Sequence, residues 1–249
     1  MRNLLLTIRY LGTGYHGWQV QDNAHTVQEV MGDAVEAILG KRENVTGCSR
    51  TDAGVHANMY CCTVRTENPI TPFRLIAGLN AKLPEDISVY DCVEVDEDFH
   101  PRYSCVAKQY IYRVYNGNAR NPFEEDRAYY FHPHLDEKLL DKEAKAFVGT
   151  HNFTAFTNSK EPVNENIRTV RRAEVKRDGD VVTFLFEADG FLYNMVRIMA
   201  GTLIAIGTGR IPEGSIGDII AGEDRKAAGQ TAPACGLYLN KVYYGDEKE

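Results

Sequence analysis

Apolar and polar residues along this chain follow two rhythms, one of period two and one close to the 3.6-residue turn of a helix. The period-two runs are Leu4 to Tyr10, Met59 to Arg65, Ile87 to Val95, residues 108–116, Thr169 to Lys176, Val181 to Ala188 and residues 236–244, and each predicts a β-strand. Between two of them "RDGD", residues 177–180, predicts a tight hairpin turn. Helical spacing is clearest in residues 26–39, where Val27, Val30, Met31, Ala34, Val35 and Ile38 fall on one face. Thr26 stands as its N-cap, and Glu29 completes a capping box. Further helices are predicted over Pro72 to Leu83, with Thr71 as cap and Pro84 beyond its end, and over Asp136 to Phe147, Phe191 to Ile206 and about Pro212 to Ala221. Strands and helices recur in a similar order in both halves, without a residue-level repeat. That order predicts an α+β fold of two similar halves with mainly antiparallel sheets. The boundary falls near 100–107, giving domains of 1–105 and 106–249.

Composition narrows this only a little. Of 249 residues, 43% are hydrophobic and 25% charged, as expected for a globular protein with a sizeable core. No apolar run approaches the ~18 residues of a membrane span. "MRNLLLTIRYLG" at the N-terminus is broken too soon by Thr7 and Arg9 for a signal peptide, so a cytoplasmic protein is expected. The six cysteines include no C-x-x-C pair, and Cys61 and Cys62 are adjacent, which suits reduced, buried thiols better than a metal cradle or a disulfide framework. No metal is expected. The net charge of −7 argues against indiscriminate coating of nucleic acid, but not against a locally basic cleft. Acidic residues concentrate in "EVDED" at 94–98, "EED" at 124–126 and "DEKE" at 246–249.

Candidate chemistry starts from "GTGYHG", residues 12–17, which matches the dinucleotide fingerprint after a strand. That fingerprint needs a helix opening at its glycines, whereas here the helix waits until Thr26. Trp18, just beyond, is then an anchor in a turn or a surface for a base or sugar. "GCSRTDAGVHA", Gly47 to Ala57, sets Arg50 and Asp52 among residues too small to cover them. Such a loop is either a plain surface turn or a place where a bulky substrate reaches the backbone and carboxylate closely. A hydrolase built on Ser49, Asp52 and His56 lacks the G-x-S-x-G elbow, and Asp52 with His56 has no evident third metal ligand. What is left is a lone carboxylate with arginines and tyrosines, a set suited to chemistry at an electron-poor carbon beside a planar ring.

"GCSRTDAGVHA" resembles the signature of the tRNA pseudouridine synthase A family, G-[AS]-G-R-T-D-A-G-V-H, with Cys48 and Ser49 departing from it while staying small. "TVQEVMGDAVEAIL", "FHPRYSCVAKQYIYRVYN", "GTHNFTAF" and "FLYNMVRIMAGTL" follow in the family's order, so the resemblance runs from Leu4 to about Tyr243. It implies two similar α/β-sandwich halves around a central, mainly antiparallel sheet, and an isomerase that converts uridines 38, 39 and 40 of the tRNA anticodon arm to pseudouridine, without a cofactor, as a homodimer. The first half would carry the aspartate loop and the second would complete the cleft. Asp52 would be the catalytic residue, attacking the ribose or removing a ribose proton. Tyr110 would stack on the base, Arg50 would fill the space of the flipped-out nucleotide, and Arg197 would pair with the aspartate. Without the resemblance, Tyr110 reads as a half-buried strand residue and Arg50 as a solvated loop charge. Arg197, the one charge in an apolar helix, either takes a partner, since an unpaired buried charge is costly, or snorkels its head group to solvent. A non-catalytic RNA-binding module is the alternative. The acidic total charge points to a two-fold dimer with a shared RNA groove, and Arg102, Lys108, Arg168, Arg171 and Arg172 are candidate phosphate contacts.

Overall fold

The structure is a computed structural model that describes residues 1–159 and 166–245; the acidic stretch 246–249 lies outside them. The chain forms two compact units, Met1–Val106 with the closing strand from Tyr238, and Ala107–Leu237. Both are mixed α+β with mainly antiparallel pairing. Among the described residues no helix is long and apolar enough to cross a membrane.

The first unit contains β1 (Arg2–Tyr10), α1 (Val27–Leu39), β2 (Val45–Gly47), β3 (His56–Thr66), α2 (Pro72–Asn80) and β4 (Ile87–Val95). β1 lies between β3 and β4, antiparallel to both, and β2 adds to β3. Leu4, Leu6 and Ile8 on one face of β1 are fully buried, as are Met31 of α1 and Leu79 of α2. On the opposite face Asn3 is buried too, and its amide donates to the carbonyls of Asp96 and Phe99 at 3.0 Å each, which ties down the 96–99 turn. Thr26 caps α1 by accepting from the Glu29 N–H at 3.4 Å. The Glu29 carboxylate, expected to complete a capping box, lies 3.9 Å from the His25 ring instead.

The second unit contains β5 (Cys105–Tyr115), β6 (Tyr129–Tyr130), α3 (Glu137–Ala144), β7 (Gly149–Asn152), β8 (Ile167–Asp178), β9 (Val181–Ala188), α4 (Met195–Gly207) and α5 (Ile216–Gly222). β9 pairs antiparallel with β5 and β8, and β7 extends the ladder from β8. The hairpin at "RDGD" closes through Gly179 at φ 55°. Phe147, Phe153, Phe156 and Phe186 are fully buried, and their rings meet edge to face. α3 ends at Ala144, because Lys145–Phe147 tighten into a 3-10 turn. α4 starts four residues later than its apolar pattern predicts. Asn194 stands before it in the left-handed region at φ 61°, which leaves Phe191 and Leu192 in the approach to the helix.

The closing strand β10 (Leu237–Tyr244) pairs in parallel with β3, Tyr238 opposite His56. It therefore groups with the first unit, where the sequence-based division assigned it to the second.

Candidate active site

Between β2 and β3 runs the loop from Cys48 to Val55, and almost every part of its backbone is tied to neighbours in the first unit. The Cys48 N–H donates to the Cys61 carbonyl at 2.9 Å. The Tyr60 hydroxyl donates to the Ser49 carbonyl at 2.5 Å. Tyr60 is fully buried and stacks on Trp18 with ring centroids 4.1 Å apart, so the two rings form one block under the loop. Trp18, at 3% exposure, is an anchor and not a surface for a base. Its backbone N–H donates to the Thr51 carbonyl at 3.2 Å, and the Thr51 hydroxyl bonds the Tyr10 hydroxyl at 2.9 Å. On the far side of the aspartate, the Gly54 N–H reaches the Tyr15 carbonyl and the Val55 N–H closes back on the Asp52 carbonyl, both at 3.2 Å. Asp52 thus sits half-buried on a fixed main chain, with Arg50 exposed two residues before it.

The "GTGYHG" segment proves to be the seat of this loop. A β-carbon on Gly12 would stand 1.9 Å from the Val55 carbonyl oxygen, and one on Gly17, itself at φ 86°, would stand 2.2 Å from that of Thr51. Only glycine lets the two backbones touch this closely. The same segment decides the status of His56. The Gly12 N–H donates to His56 Nδ1 at 2.9 Å, the ring is fully buried, and it packs on Tyr238 at 4.6 Å between centroids. His56 is a structural strut, which removes the base that an Asp52–His56 hydrolase would need.

Tyr110 and Arg197 belong to the second unit. Tyr110 lies mid-β5 opposite Phe186 and is buried, with Phe191 edge-on to its ring at 5.1 Å. Arg197, in the first turn of α4, donates from Nε to the Ala232 carbonyl at 2.8 Å and from Nη1 to Asn194 Oδ1 at 2.9 Å. Within this unit the 191–197 segment links the pair: Phe191 touches the tyrosine and Asn194 orients the arginine. Arg50 and Asp52 likewise share one loop of the first unit.

Adjacent Cys61 and Cys62 offer no competing nucleophile. All six cysteines are free thiols, four of them buried, and burial pushes Cys61 up to about 11 and Cys62 well above its usual range. Thiolate, the reactive form, is scarce at such values. Among the described residues no group of three or more His, Cys, Asp or Glu side chains is placed to hold a metal ion.

The family model described as tRNA pseudouridine synthase matches residues 6–104 and 144–245, which take in the Asp52 loop, α4 and the closing strand. This chain belongs to the tRNA pseudouridine synthase family. Full-length relatives agree. "tRNA pseudouridine synthase A" of Acetivibrio thermocellus is 43% identical over 244 residues, covering 98% of this chain and 100% of the relative. That of Ruminiclostridium cellulolyticum is 44% identical over 245 residues with the same coverage. Among solved structures, a chain of a Cbf5-Nop10-Gar1 complex is similar at a TM-score of 0.36 and 10% identity, over 96% of this chain and 59% of that one, too slight a likeness to bear on the site. Membership in the pseudouridine synthase family makes the chain an isomerase. The support of the Asp52 loop by Gly12, Gly17, Trp18 and Tyr60 is a structural feature that the motif alone does not reveal.

Proposed function

We propose that this protein isomerises uridines 38, 39 and 40 in the anticodon arm of tRNA, with Asp52 as the chemical residue. The observation that carries this reading is the half-buried Asp52 carboxylate on a main chain fixed on both sides, flanked by small residues that leave a nucleotide room to approach. In the reaction the bond from ribose C1′ to uracil N1 breaks and a bond from C1′ to uracil C5 forms, while the C5 proton passes to solvent and N1 takes up a proton in its place. Nothing is gained or lost overall, so no cofactor is required. Asp52 starts the reaction by attacking the ribose or by removing a ribose proton. Arg197 supplies the counter-charge to Asp52, and its bonds to Ala232 and Asn194 support that role by fixing the guanidinium plane. Tyr110 stacks on the base and takes the final proton. Arg50 fills the space left by the extruded nucleotide, which costs a few kcal/mol to unstack.

The protein acts in the cytoplasm as a homodimer whose two subunits share the RNA groove. A net charge of −7 supports this, because a single acidic subunit offers few phosphate contacts for an extended RNA. The test is incubation with tRNA carrying uracil tritiated at carbon five, followed by mapping of the modified sites and sedimentation of the active species. Tritium release with the base retained, at these three positions, and a sedimenting dimer are expected. Binding without release would leave a non-catalytic RNA-binding module, and release of free uracil would mean a glycosidic hydrolase.

A further inference from the structure

The turn at residues 100–103 and the loop carrying Arg50 enclose a cavity of about 260 Å³ within the first unit, lined among others by Gln28, Asn44, Arg50, His100, Arg102 and Tyr103. Its polar groups differ in how far they are already committed. Gln28 is engaged at both ends of its amide, accepting from the Val20 N–H at 3.0 Å and donating to the Val45 carbonyl at 2.8 Å. His100 is fixed by its own turn: Nδ1 accepts from the N–H groups of Arg102 at 3.1 Å and Tyr103 at 3.4 Å. That leaves its Nε2–H as a donor of set direction. Arg50 and Arg102 are exposed, and among the described residues neither guanidinium forms an ion pair or a hydrogen bond. Arg102 only leans over the Tyr103 ring, 5.9 Å from its centroid.

Two guanidinium groups with no protein partner among the described residues, beside an oriented ring N–H, offer an anion a local positive spot on a chain whose net charge is −7. The volume falls just below the ~300–1,000 Å³ of sites for drug-sized ligands, which suits a phosphate with its sugar. Tyr103, 78% exposed on the rim, offers a ring face on which a base can stack.

We propose that this cavity grips one backbone phosphodiester of the tRNA beside the nucleotide delivered to Asp52, with Arg102 and His100 as donors and Arg50 closing the wall on the aspartate side. It thereby sets the register in which a uridine reaches the aspartate. The inference rests on the isomerase reading above, but it concerns RNA grip and is measured separately from chemistry. Filter binding of tRNA across a salt series, with KM and kcat from tritium release, compares the wild type with Arg102→Ala and Arg102→Lys. One lost phosphate contact should lower the salt slope by about one. The alanine variant should also weaken binding and raise KM about tenfold, with a much smaller fall in kcat, and lysine should restore the slope. An unchanged slope and affinity in Arg102→Ala, or a loss confined to kcat, overturns the proposal. A wild type that binds tRNA but releases no tritium would sink the isomerase reading, while the binding arm would still decide the cavity.

Discussion

Tyr60→Phe removes a single oxygen atom from the block that supports the Asp52 loop. The ring is fully buried, and its stacking on Trp18 at 4.1 Å and its tilted contact with Tyr10 at 5.8 Å survive the change. What disappears is the donor to the Ser49 carbonyl, which then has no hydroxyl to accept from. A hydrogen bond of this kind is worth about 0.5–1.5 kcal/mol net, so unfolding free energy should fall by that amount. The effect on activity should be larger than the effect on tRNA binding. A reacting group displaced by about 1 Å loses on the order of a hundredfold in rate, and a loosened Ser49 shifts the chain three residues before Asp52. Urea unfolding measures the first quantity, and tritium release against filter binding measures the second. Tyr90→Phe is the control, because Tyr90 is 41% exposed and such a surface change is worth no more than about 0.5 kcal/mol. If Tyr60→Phe matches that control in stability and turnover, the loop is not held by Tyr60 and the reasoning fails.

Two further outcomes follow from the same geometry. Gly12→Ala forces a β-carbon to 1.9 Å from the Val55 carbonyl oxygen, so stability should drop by about 1–3 kcal/mol or more with loss of turnover, whereas Gly14→Ala, with nothing within 4 Å, should be nearly neutral in urea unfolding. In the second unit, hydrogen bonds from Arg172 and then Lys176 hold the Glu174 carboxyl at about 2 against an ordinary 4.5. A depressed folded-state value means stability that is present above about pH 4.5 and is lost as pH falls toward 2. Glu174→Gln should therefore flatten that part of the stability–pH curve, and an unchanged curve would show that the pair contributes nothing.

How much of this was legible in the sequence depends on whether the cause is local. The β1, β4 and β9 strands and the α1 face could be read because period and capping are written within a dozen residues. The Arg50–Asp52 loop stood out because small residues beside two charges leave both uncovered. Gly12 and Gly17 were legible only as a failed dinucleotide motif, since their purpose is contact with the backbone of Val55 and Thr51, 43 and 34 positions later. The role of His56 was hidden for a similar reason: a fully buried ring bonded to Gly12 looks, in sequence, like any histidine near an aspartate. β10 gave no sign of its partner, because its pairing with β3 joins residues 182 apart, as the 2.9 Å bond from Asn58 to Asn240 records. The late start of α4 depends on one left-handed asparagine inside an apolar run, and a periodic pattern cannot register a single backbone angle.

The central claim is that the Asp52 carboxylate performs the chemistry, and Asp52→Asn tests it most directly. The amide keeps the shape of the side chain but is neither a useful nucleophile nor a base. Removing a negative charge next to RNA should leave affinity unchanged or raise it. Tritium release and filter binding on the same preparation should therefore show activity at background with tRNA binding intact. An asparagine variant that keeps a tenth or more of wild-type turnover, a barrier change of only about 1.4 kcal/mol, would contradict the account and move the chemistry to another residue.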